Sequence, residues 1–348
     1  MFDVWRKWLA FSLAALIIIS GCSQEKEVVD DQPEKQVEDI VKEDKEDKEV
    51  QFQFPLTGLM TETEPMDRAV AVVVNNHPQA RPQSGLHKAD IVYEVLAEGK
   101  VTRFLAIFES ERPEKVGPVR SARDYYINLA KGYDSVFIAH GYSPEAKEML
   151  RNGEIDHLNG IQYDGSLFKR ADFRYAPHNS YITFENIVKG AEDNKFSLEE
   201  APKSLSFLDE SEIESLSGQP TEKVEISYGN STFDVQYQYD TDKSKYYRFS
   251  AGENTVDLDS NQPVQLDNVL IVEMNHEIVD NAGRRDINLT SGGKGYLLRK
   301  GLKTEIEWKN VDGRILPFIN GEEAELVPGK TWINIVPSLD SVSFANQS

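Results

Sequence analysis

The first 22 residues, which end at the only cysteine, constrain this chain more than any other feature. Arg6 and Lys7 precede an apolar run from Trp8 to Ile19. A charged start followed by such a run is typical of a secretory signal peptide, and the run is short for a transmembrane helix of about 20 residues. Because Cys22 is the one cysteine among 348 residues, the rest of the chain folds without a disulfide and without thiolate chemistry.

The residues before Cys22, Ser20 and Gly21, resemble the lipobox of bacterial lipoproteins, in which a peptidase cleaves before the cysteine and its sulfur carries diacylglycerol. The alternative is an uncleaved membrane anchor with an incidental cysteine. Either interpretation places the remaining chain on the extracytoplasmic face of the cell membrane. We therefore predict a signal peptide over residues 1–21 and a lipid anchor, palmitate included, at Cys22, with its acyl chains in the bilayer.

Residues 22–51 combine the lipidated cysteine with an acidic segment that contains no glycine and no aromatic residue. Such a segment buries too little apolar surface to offset its ordering entropy, so we predict a disordered linker. The formal net charge of the chain is −21. This charge argues against nucleic acid as a partner and against a basic membrane-binding patch.

The remaining residues predict an α+β protein of two domains. Residues 52–200 favour an N-terminal α/β layered domain with a mixed sheet, because strand-like and helix-like stretches alternate there. Residues 201–222 are rich in Ser and Glu and predict a linker. Residues 223–340 alternate apolar and polar positions between turn signals, which favours a mostly-β domain of sandwich or barrel type.

Three apolar stretches of the first domain predict strands: Ala69–Val74, Ala89–Leu96 and Val101–Phe108. If Gly99 and Lys100 form a two-residue hairpin loop, Arg103 lies diagonally between Glu94 and Glu98 on one face of the sheet. The pattern Ser121 to Asp124 predicts a capped helix that begins at Ala122 and ends at Gly132. A second helix is predicted to begin after Ser143, with Pro144 in its first turn.

The segment around Arg120 and Arg123 is the best candidate for a binding site. Two guanidinium groups at a helix start add fixed positive charge to unpaired amides, which suits phosphate or pyrophosphate. The predicted ligand-binding residues are Arg103, Arg120, Arg123, Arg174 and Asn179. The alternative is that Arg120 and Arg123 pair with Asp90, Glu94 or Glu98 and only hold the sheet together.

Carboxylates and histidines supply the candidates for chemistry. Glu94 and Glu98 are candidate acid/base groups, and Asp90, Glu94 and Glu98 are candidate ligands for Mg²⁺, the one cofactor considered. A solvated ion network on the sheet is the alternative for these carboxylates. His140 after an apolar strand and His178 in a polar loop are further catalytic candidates, although a lone loop histidine is more often a structural hydrogen-bonding residue than a base.

Four segments carry a resemblance to a known family: ARPQSGLHKADIVYEVLAEGKVTRFLAIF, VGPVRSARDYY, APHN and GKTWINIVP. They resemble the YerB-like bacterial lipoproteins over residues from about 54 to 337. That family consists of uncharacterised two-domain lipoproteins, so the resemblance implies an envelope lipoprotein and leaves its activity open.

The order of motifs in the first domain is also similar to that of the LytR-CpsA-Psr phosphotransferases, which transfer glycopolymers from a polyprenyl-pyrophosphate carrier. Lys88 to Asp90 correspond to the first motif of that family, with Lys88 in place of an arginine, and Arg120 to Asp124 correspond to the second. Ala139 to Tyr142 lie in a similar place to a third motif of that family. The resemblance implies an anionic lipid-linked substrate.

Three functions follow as alternatives for an envelope protein held at the membrane. The first is binding of an anionic, phosphate-bearing envelope ligand or a protein partner through the N-terminal domain. The second is a phosphotransferase or hydrolase acting on a polyprenyl-phosphate-linked or glycan substrate. The third is a protein scaffold without a small ligand. The partners considered are therefore the bilayer, an envelope glycopolymer, a lipid carrier and a protein.

Overall fold

A computed structural model describes residues 51–345, which belong to one compact unit. The predicted signal peptide, the Cys22 anchor and all of the acidic linker except Gln51 lie outside the described residues. Within residues 51–345, no helix combines the length and the apolar character needed to cross a membrane.

The chain up to residue 200 alternates strands and helices, with the following bounds: β1 Phe52–Gln53, β2 Met60–Thr61, β3 Val70–Asn75, β4 Ile91–Glu98, β5 Val101–Phe108, β6 Lys115–Val116, α1 Asp124–Lys131, β7 Val136–Ala139, α2 Pro144–Arg151, β8 His157–Asn159, α3 Gly160–Tyr163, β9 Phe168–Arg170, β10 Ser180–Thr183 and α4 Phe184–Asn194.

In the rest of the described chain nearly all of the regular elements are strands, with the following bounds: α5 Glu210–Glu214, β11 Gln219–Pro220, β12 Lys223–Ile226, β13 Val235–Asp240, β14 Lys245–Ser250, β15 Glu253–Asn254, β16 Gln265–Leu266, β17 Asn268–Glu273, β18 His276–Ile278, β19 Arg285–Ile287, β20 Gly293–Arg299, β21 Leu302–Val311, β22 Arg314–Ile319, β23 Glu322–Glu323, β24 Thr331–Val336 and β25 Val342–Ala345.

A twelve-stranded mixed sheet forms the centre of the described structure, and both halves of the chain contribute to it. Its order is β23-β22-β21-β20-β17-β24-β4-β5-β3-β7-β8, and β11 pairs with β21. β24 is parallel to β17 and β4, and β3, β7 and β8 are parallel to one another. Because β5 is antiparallel to both β3 and β4, all of these parallel strands end at one edge, here called the carboxyl edge.

Both faces of the sheet are covered. Every residue of β3 is buried, as a continuous apolar run in a central strand requires. On one face, Val73 belongs to a core that includes Leu129 of α1 and Leu150 of α2. On the other face, Val72 belongs to a core with Tyr237 of the six-stranded sheet β15-β14-β13-β12-β25 and β16, and with residues of α4.

The C-terminal half does not close into a separate sandwich or barrel, contrary to our expectation. Its strands divide between the shared sheet and the six-stranded sheet, because β24 inserts between β17 and β4. Residues 201–222, predicted as a linker, also pack onto this structure: Leu205 is buried, and Gln219 and Pro220 pair with β21. The predicted mixed sheet is confirmed.

The predicted first helix exists but begins later than expected. α1 starts at Asp124 with Arg123 as its N-cap and without a side-chain cap, and Gly132 follows it as the C-cap. The hydroxyl of Ser121 donates instead to the His140 carbonyl at 3.1 Å. The second helix is confirmed, since the Ser143 hydroxyl accepts from the Ala146 amide with Pro144 in the first turn.

Candidate functional site: a basic cluster at the carboxyl edge

The segment before α1 lies across the ends of two parallel strands. The Arg120 amide donates to the carbonyl of Val73 in β3 at 2.8 Å, and the Arg120 carbonyl accepts from the amide of His140, directly after β7, at 2.9 Å. The neighbouring Val119 amide donates to Ser180 in β10. These backbone bonds fix Arg120 at the carboxyl edge, where ligands bind in many parallel sheets.

The Arg120 side chain is the unpaired cation of this edge. It is partly buried, yet its guanidinium forms no hydrogen bond or ion pair with any other residue between 51 and 345. Burial and the nearby charge of Arg103 lower the pKa of the guanidinium to about 10, so it stays protonated at neutral pH. A half-buried charge without a partner is costly unless an anion joins it.

Two stacked imidazole rings lie within the field of this arginine. The rings of His77 and His178 are 4.4 Å apart with 21° between their planes. Burial lowers the pKa of His77, and the charge of Arg120 adds to this effect. Burial, the neighbouring His77 and Arg120 lower the pKa of His178 in the same direction. Both rings are therefore neutral at pH 7 in the absence of a ligand.

The hydrogen bonds define which nitrogen of each ring carries the proton. The Oδ1 of Asn75 accepts from the His77 amide at 3.0 Å, so its Nδ2 donates to Nδ1 of His178 at 2.9 Å. Nδ1 of His77 accepts from the Gln79 amide at 3.2 Å. Each neutral ring thus carries its hydrogen on Nε2, and neither Nε2 has a hydrogen-bond partner in the described part of the chain.

His140 has both ring nitrogens engaged. Nη2 of Arg170 donates to its Nε2 at 2.9 Å, so Nδ1 carries the hydrogen and donates to the Ser180 hydroxyl at 2.7 Å. Burial and the charge of Arg170 lower the pKa of this imidazole. The geometry therefore gives His140 a positioning role between β7, β9 and β10 and leaves no free nitrogen for the catalytic role considered above.

Arg103 and Arg123, by contrast, are both paired with Glu98. Nη2 of Arg103 lies 2.5 Å from Oε2 of Glu98 and Nη2 of Arg123 contacts Oε1. Nη1 of Arg103 also donates to the Ser121 carbonyl. These two predicted ligand residues thus form ion pairs within the protein, as in the alternative given in the sequence analysis. One carboxylate between two guanidinium groups still leaves one positive charge in excess.

Arg174 and Asn179 hold the loop that carries His178. Arg174 donates to the carbonyls of Ala80 and Pro82 and to the Tyr181 hydroxyl. Asn179 donates to the Ala171 carbonyl at 3.2 Å. The polar atoms of both residues position the loop, and their role in ligand binding stays a prediction.

A bulge between Leu96 and Glu98 shifts the register of the hairpin, so that Arg103 of β5 pairs with Val95 of β4. Glu94, the neighbour of Val95, therefore lies on the opposite face of the sheet from Arg103. The predicted proximity of Arg103 to Glu94 is therefore wrong, whereas its predicted proximity to Glu98 agrees with the structure. Glu94 is fully buried and pairs with Arg248 of β14 at 2.8 Å, and the Arg248 guanidinium lies over the rings of Phe104 and Trp332.

The candidate Mg²⁺ ligands do not meet. Asp90 lies before β4, at the other edge of the sheet, where it accepts from the Glu109 amide and from Ser110. Glu94 is held by Arg248 and Glu98 by the two arginines. Within residues 51–345 no group of three His, Cys, Asp or Glu side chains is arranged to hold a metal ion. The two phosphotransferase-like motifs thus fall on opposite edges.

Sequence reasoning missed His77, Asn75 and Arg248. Asn75 and His77 lie at the end of β3, in the segment Asn75-Asn76-His77-Pro78. Polar residues directly after a central strand often form binding sites, so their position could have indicated the site. Arg248 lies 154 positions from Glu94, and no local pattern joins the two.

The fold and this cluster define a protein of two sequence segments on one mixed sheet, and comparison with known proteins gives the family. The model of the N-terminal domain described as "Protein of unknown function (DUF3048)" matches residues 56–197, and that of the C-terminal domain matches residues 224–333. The "Putative lipoprotein YerB" of Bacillus subtilis (strain 168) is 51% identical over 294 residues, which are 84% of this chain and 88% of that protein.

A solved structure, that of the YerB protein from Bacillus subtilis, agrees with this relation. It is 50% identical, with a TM-score of 0.79, and the match covers 85% of this chain and 100% of that chain. The chain belongs to the DUF3048 family, and the predicted resemblance to YerB-like lipoproteins is confirmed.

Proposed function

We propose that the chain is a lipoprotein of the extracytoplasmic membrane face that binds a phosphate-bearing anion at Arg120, His77 and His178. The signal-like start and the single Cys22 support the location, as does the name of the relative from Bacillus subtilis, a putative lipoprotein. In this proposal the predicted linker, residues 22–51, connects the lipid anchor to residues 52–345 and sets how far these residues can lie from the bilayer.

The observation that carries the proposal is the unpaired Arg120 guanidinium in a chain of net charge −21. An isolated positive site in an acidic protein attracts an anion locally while the remaining surface repels it. Arg174 adds a charge that is bonded only to neutral groups, and the Arg103–Arg123–Glu98 group adds one more.

The donor set favours phosphate over other anions. Arg120 offers a planar fork of N–H groups, which matches two oxygens of one phosphate. The two Nε2 hydrogens of His77 and His178 come from stacked rings that are held in place by Asn75 and Gln79. Donors fixed before the ligand arrives lose little entropy on binding.

Binding is preferred to catalysis because the carboxylates that could serve as bases are engaged elsewhere. Glu94 and Glu98 are held by arginines, and both nitrogens of His140 have partners. The basic nitrogen of each neutral ring next to Arg120, Nδ1 of His77 and Nδ1 of His178, already accepts a hydrogen bond, so turnover is kept as a separate outcome of the experiment below.

The experiment is calorimetric titration of the full-length protein in detergent with inorganic pyrophosphate and with farnesyl pyrophosphate, with and without Mg²⁺. Arg120→Gln should weaken binding at least about tenfold, as expected for the loss of a charged hydrogen-bonding partner. Arg151→Gln, an exposed arginine paired with Glu148, is the matched control and should bind like the wild type.

Wild-type affinity in a folded Arg120→Gln variant would contradict the proposal. Absence of heat with the wild type would contradict it as well and would favour a scaffold. Release of inorganic phosphate from farnesyl pyrophosphate would instead show an enzyme.

A further inference from the structure

Exposed apolar side chains concentrate at the carboxyl edge, the edge that carries Arg120. Large apolar side chains are exposed at eight described positions, and five of these positions belong to this edge. Ile161 follows β8, Phe173 and Tyr175 lie in the loop between β9 and β10, and Ile278 and Val279 lie at the end of β18. Apolar residues that cluster on an exposed surface are typical of sites that contact proteins or membranes.

Backbone contacts fix both hairpins at this edge. Arg174, in the loop between β9 and β10, donates to the carbonyls of Ala80 and Pro82, in the segment that follows β3. The amide of Gly99, directly after β4, donates to the carbonyl of Gly283, between β18 and β19. The loops of the two hairpins therefore lie beyond the ends of the parallel strands.

The two aromatic rings of the β9–β10 loop are exposed to solvent. Tyr175 is 90% exposed, and its side chain forms no hydrogen bond or ring contact with another residue between 51 and 345. Phe173 is 59% exposed, and the guanidinium of Arg174 lies 5.4 Å from its ring centre. Aromatic rings with a polar group beside them are favoured at the interface between a membrane and water.

Charge also favours a lipid surface at this loop. The charged residues of the segment 169–178 are Lys169, Arg170, Arg174 and Asp172. Arg170 pairs with Asp164, whereas Lys169 and Arg174 bond only to neutral groups of the described chain. The loop is therefore net positive. Residues 276–287, by contrast, contain three carboxylates and two arginines, so an anionic surface attracts the β9–β10 loop rather than the β18–β19 hairpin.

The length of the predicted linker permits this orientation. The Thr57 carbonyl accepts from the amide of Gly329, which precedes β24 and so lies at the edge opposite to Tyr175. Residues 23–50 separate Cys22 from the described chain, and a chain of this length spans at most about 95 Å when extended. A tether of this length reaches around the sheet and keeps the loop at high local concentration near the bilayer.

We propose that the loop between β9 and β10 docks on the bilayer surface, with Phe173 and Tyr175 in the interfacial region. The amide of His178 donates to the Tyr175 carbonyl at 2.9 Å, so docking places the stacked imidazoles and Arg120 near the lipid phosphates. The anion at Arg120 is then the phosphate of a membrane lipid. This inference rests on the membrane location and the phosphate site of the proposed function, and it names the source of the phosphate.

The test is the fluorescence of a tryptophan placed in the loop of the full-length chain. The chain is exported through its own signal peptide and reconstituted into phosphatidylglycerol vesicles. Tyr175→Trp is the reporter, since the side chain at this position is almost fully exposed and its replacement should leave the fold intact. Brominated acyl chains should quench the reporter, and the wild-type chain supplies the background of its four tryptophans.

Met66→Trp is the matched control. Met66 is 55% exposed, and its neighbour Asp67 pairs with Arg112, which follows β5 at the opposite edge. A tryptophan at position 66 should therefore not be quenched. Phe173→Asp combined with Tyr175→Trp should reduce the quenching, because anionic lipid repels a carboxylate in the loop.

Flotation with the vesicles separates failure of this inference from failure of the proposed function. In protein that floats, absence of quenching at position 175 or equal quenching at positions 66 and 175 would overturn docking and leave the calorimetric result on pyrophosphate untouched. Protein that does not float would overturn docking together with the membrane location.

Competition with free pyrophosphate tests the source of the phosphate. Pyrophosphate should bind more weakly to the protein in these vesicles than in detergent, because lipid phosphate occupies Arg120 in the vesicles. Equal affinity in vesicles and detergent, or quenching at position 175 in a chain that binds no pyrophosphate in detergent, would overturn the assignment of the anion to a membrane lipid.

Discussion

Arg120 and Arg123 stand three positions apart, and the structure gives them opposite roles. Arg123 is buried against Glu98, while the Arg120 guanidinium has no partner in the described chain. Sequence reasoning could name both residues, because each is an arginine next to a helix start. It could not separate them, since the contact between Arg123 and Glu98 joins residues 25 positions apart through tertiary packing.

The Glu94–Arg248 ion pair is one of the polar contacts that join the two sequence segments inside the core. Glu94 is 0% and Arg248 is 1% exposed. Removal of one partner leaves a buried charge alone, so Arg248→Ala should lower the free energy of unfolding by about 3–5 kcal/mol. Urea denaturation measures this loss. The exposed pair of Lys189 and Asp193 is the control, and Lys189→Ala should cost less than about 1 kcal/mol. An equal cost for both variants would contradict the assignment.

Glu109 makes the stability of the fold depend on pH. Its carboxylate oxygens are buried, and burial together with the charge of Asp90 raises its pKa from 4.5 to about 8, against the opposite effect of a hydrogen bond from the Leu56 backbone. A raised pKa favours the folded state at low pH. Stability should therefore fall as pH rises from about 4.5 to about 8, by at most about 1.4 kcal/mol per pH unit.

Glu109→Gln is expected to remove this part of the slope. Urea denaturation of both proteins at pH 5, 6, 7 and 8 supplies the comparison, and the stability of the variant relative to the wild type should increase with pH. A constant difference between the two proteins across this range would show that Glu109 does not titrate with a raised pKa.

At the scale of elements, α1 ends at Gly132 for a reason that the sequence did not reveal. Gly132 has helical dihedral angles, so it is not required for a left-handed cap. A Cβ atom at this position would lie 2.5 Å from the carbonyl carbon of Gly313, in the turn between β21 and β22. The glycine therefore allows α1 to approach the backbone of the C-terminal half closely.

Gly132→Ala should destabilise the protein by about 1–3 kcal/mol through this overpacking, although alanine favours helices. Thermal unfolding followed by circular dichroism measures the loss. Lys131→Ala, one residue earlier and exposed, is the control and should change stability by less than about 0.5 kcal/mol. A Gly132→Ala protein as stable as the wild type would show that the two backbones can separate freely.

The strands that could be predicted are those with local signals. The apolar run Ala69–Val74 matches β3, and the hairpin of β4 and β5 lies at Gly99 and Lys100 as expected. The insertion of β24 between β17 and β4 could not be predicted, because its parallel pairing with β4 joins strands more than 200 positions apart through tertiary packing alone. For the same reason the site was predicted only in part: Arg120 and His178 were named, and His77 was missed.

At the scale of the whole molecule, the shared sheet should make the two family segments unfold together. Trp308 and Trp332 belong to the C-terminal segment, and β24, which carries Trp332, pairs with β4 of the first segment. Urea transitions followed by tryptophan fluorescence and by far-ultraviolet circular dichroism should therefore coincide. Two separated transitions would indicate independently stable domains.

The most direct test of the phosphate site is the titration of the histidine side chains by NMR with and without pyrophosphate. Burial and Arg120 hold the pKa values of His77 and His178 below 6.5 in the free protein, and a bound anion favours the protonated rings. Both pKa values should rise when pyrophosphate binds, and affinity should increase as pH falls. The pKa of His276, which bonds to the Met274 carbonyl elsewhere, should not change. Unchanged pKa values of His77 and His178 at saturating pyrophosphate would contradict the account.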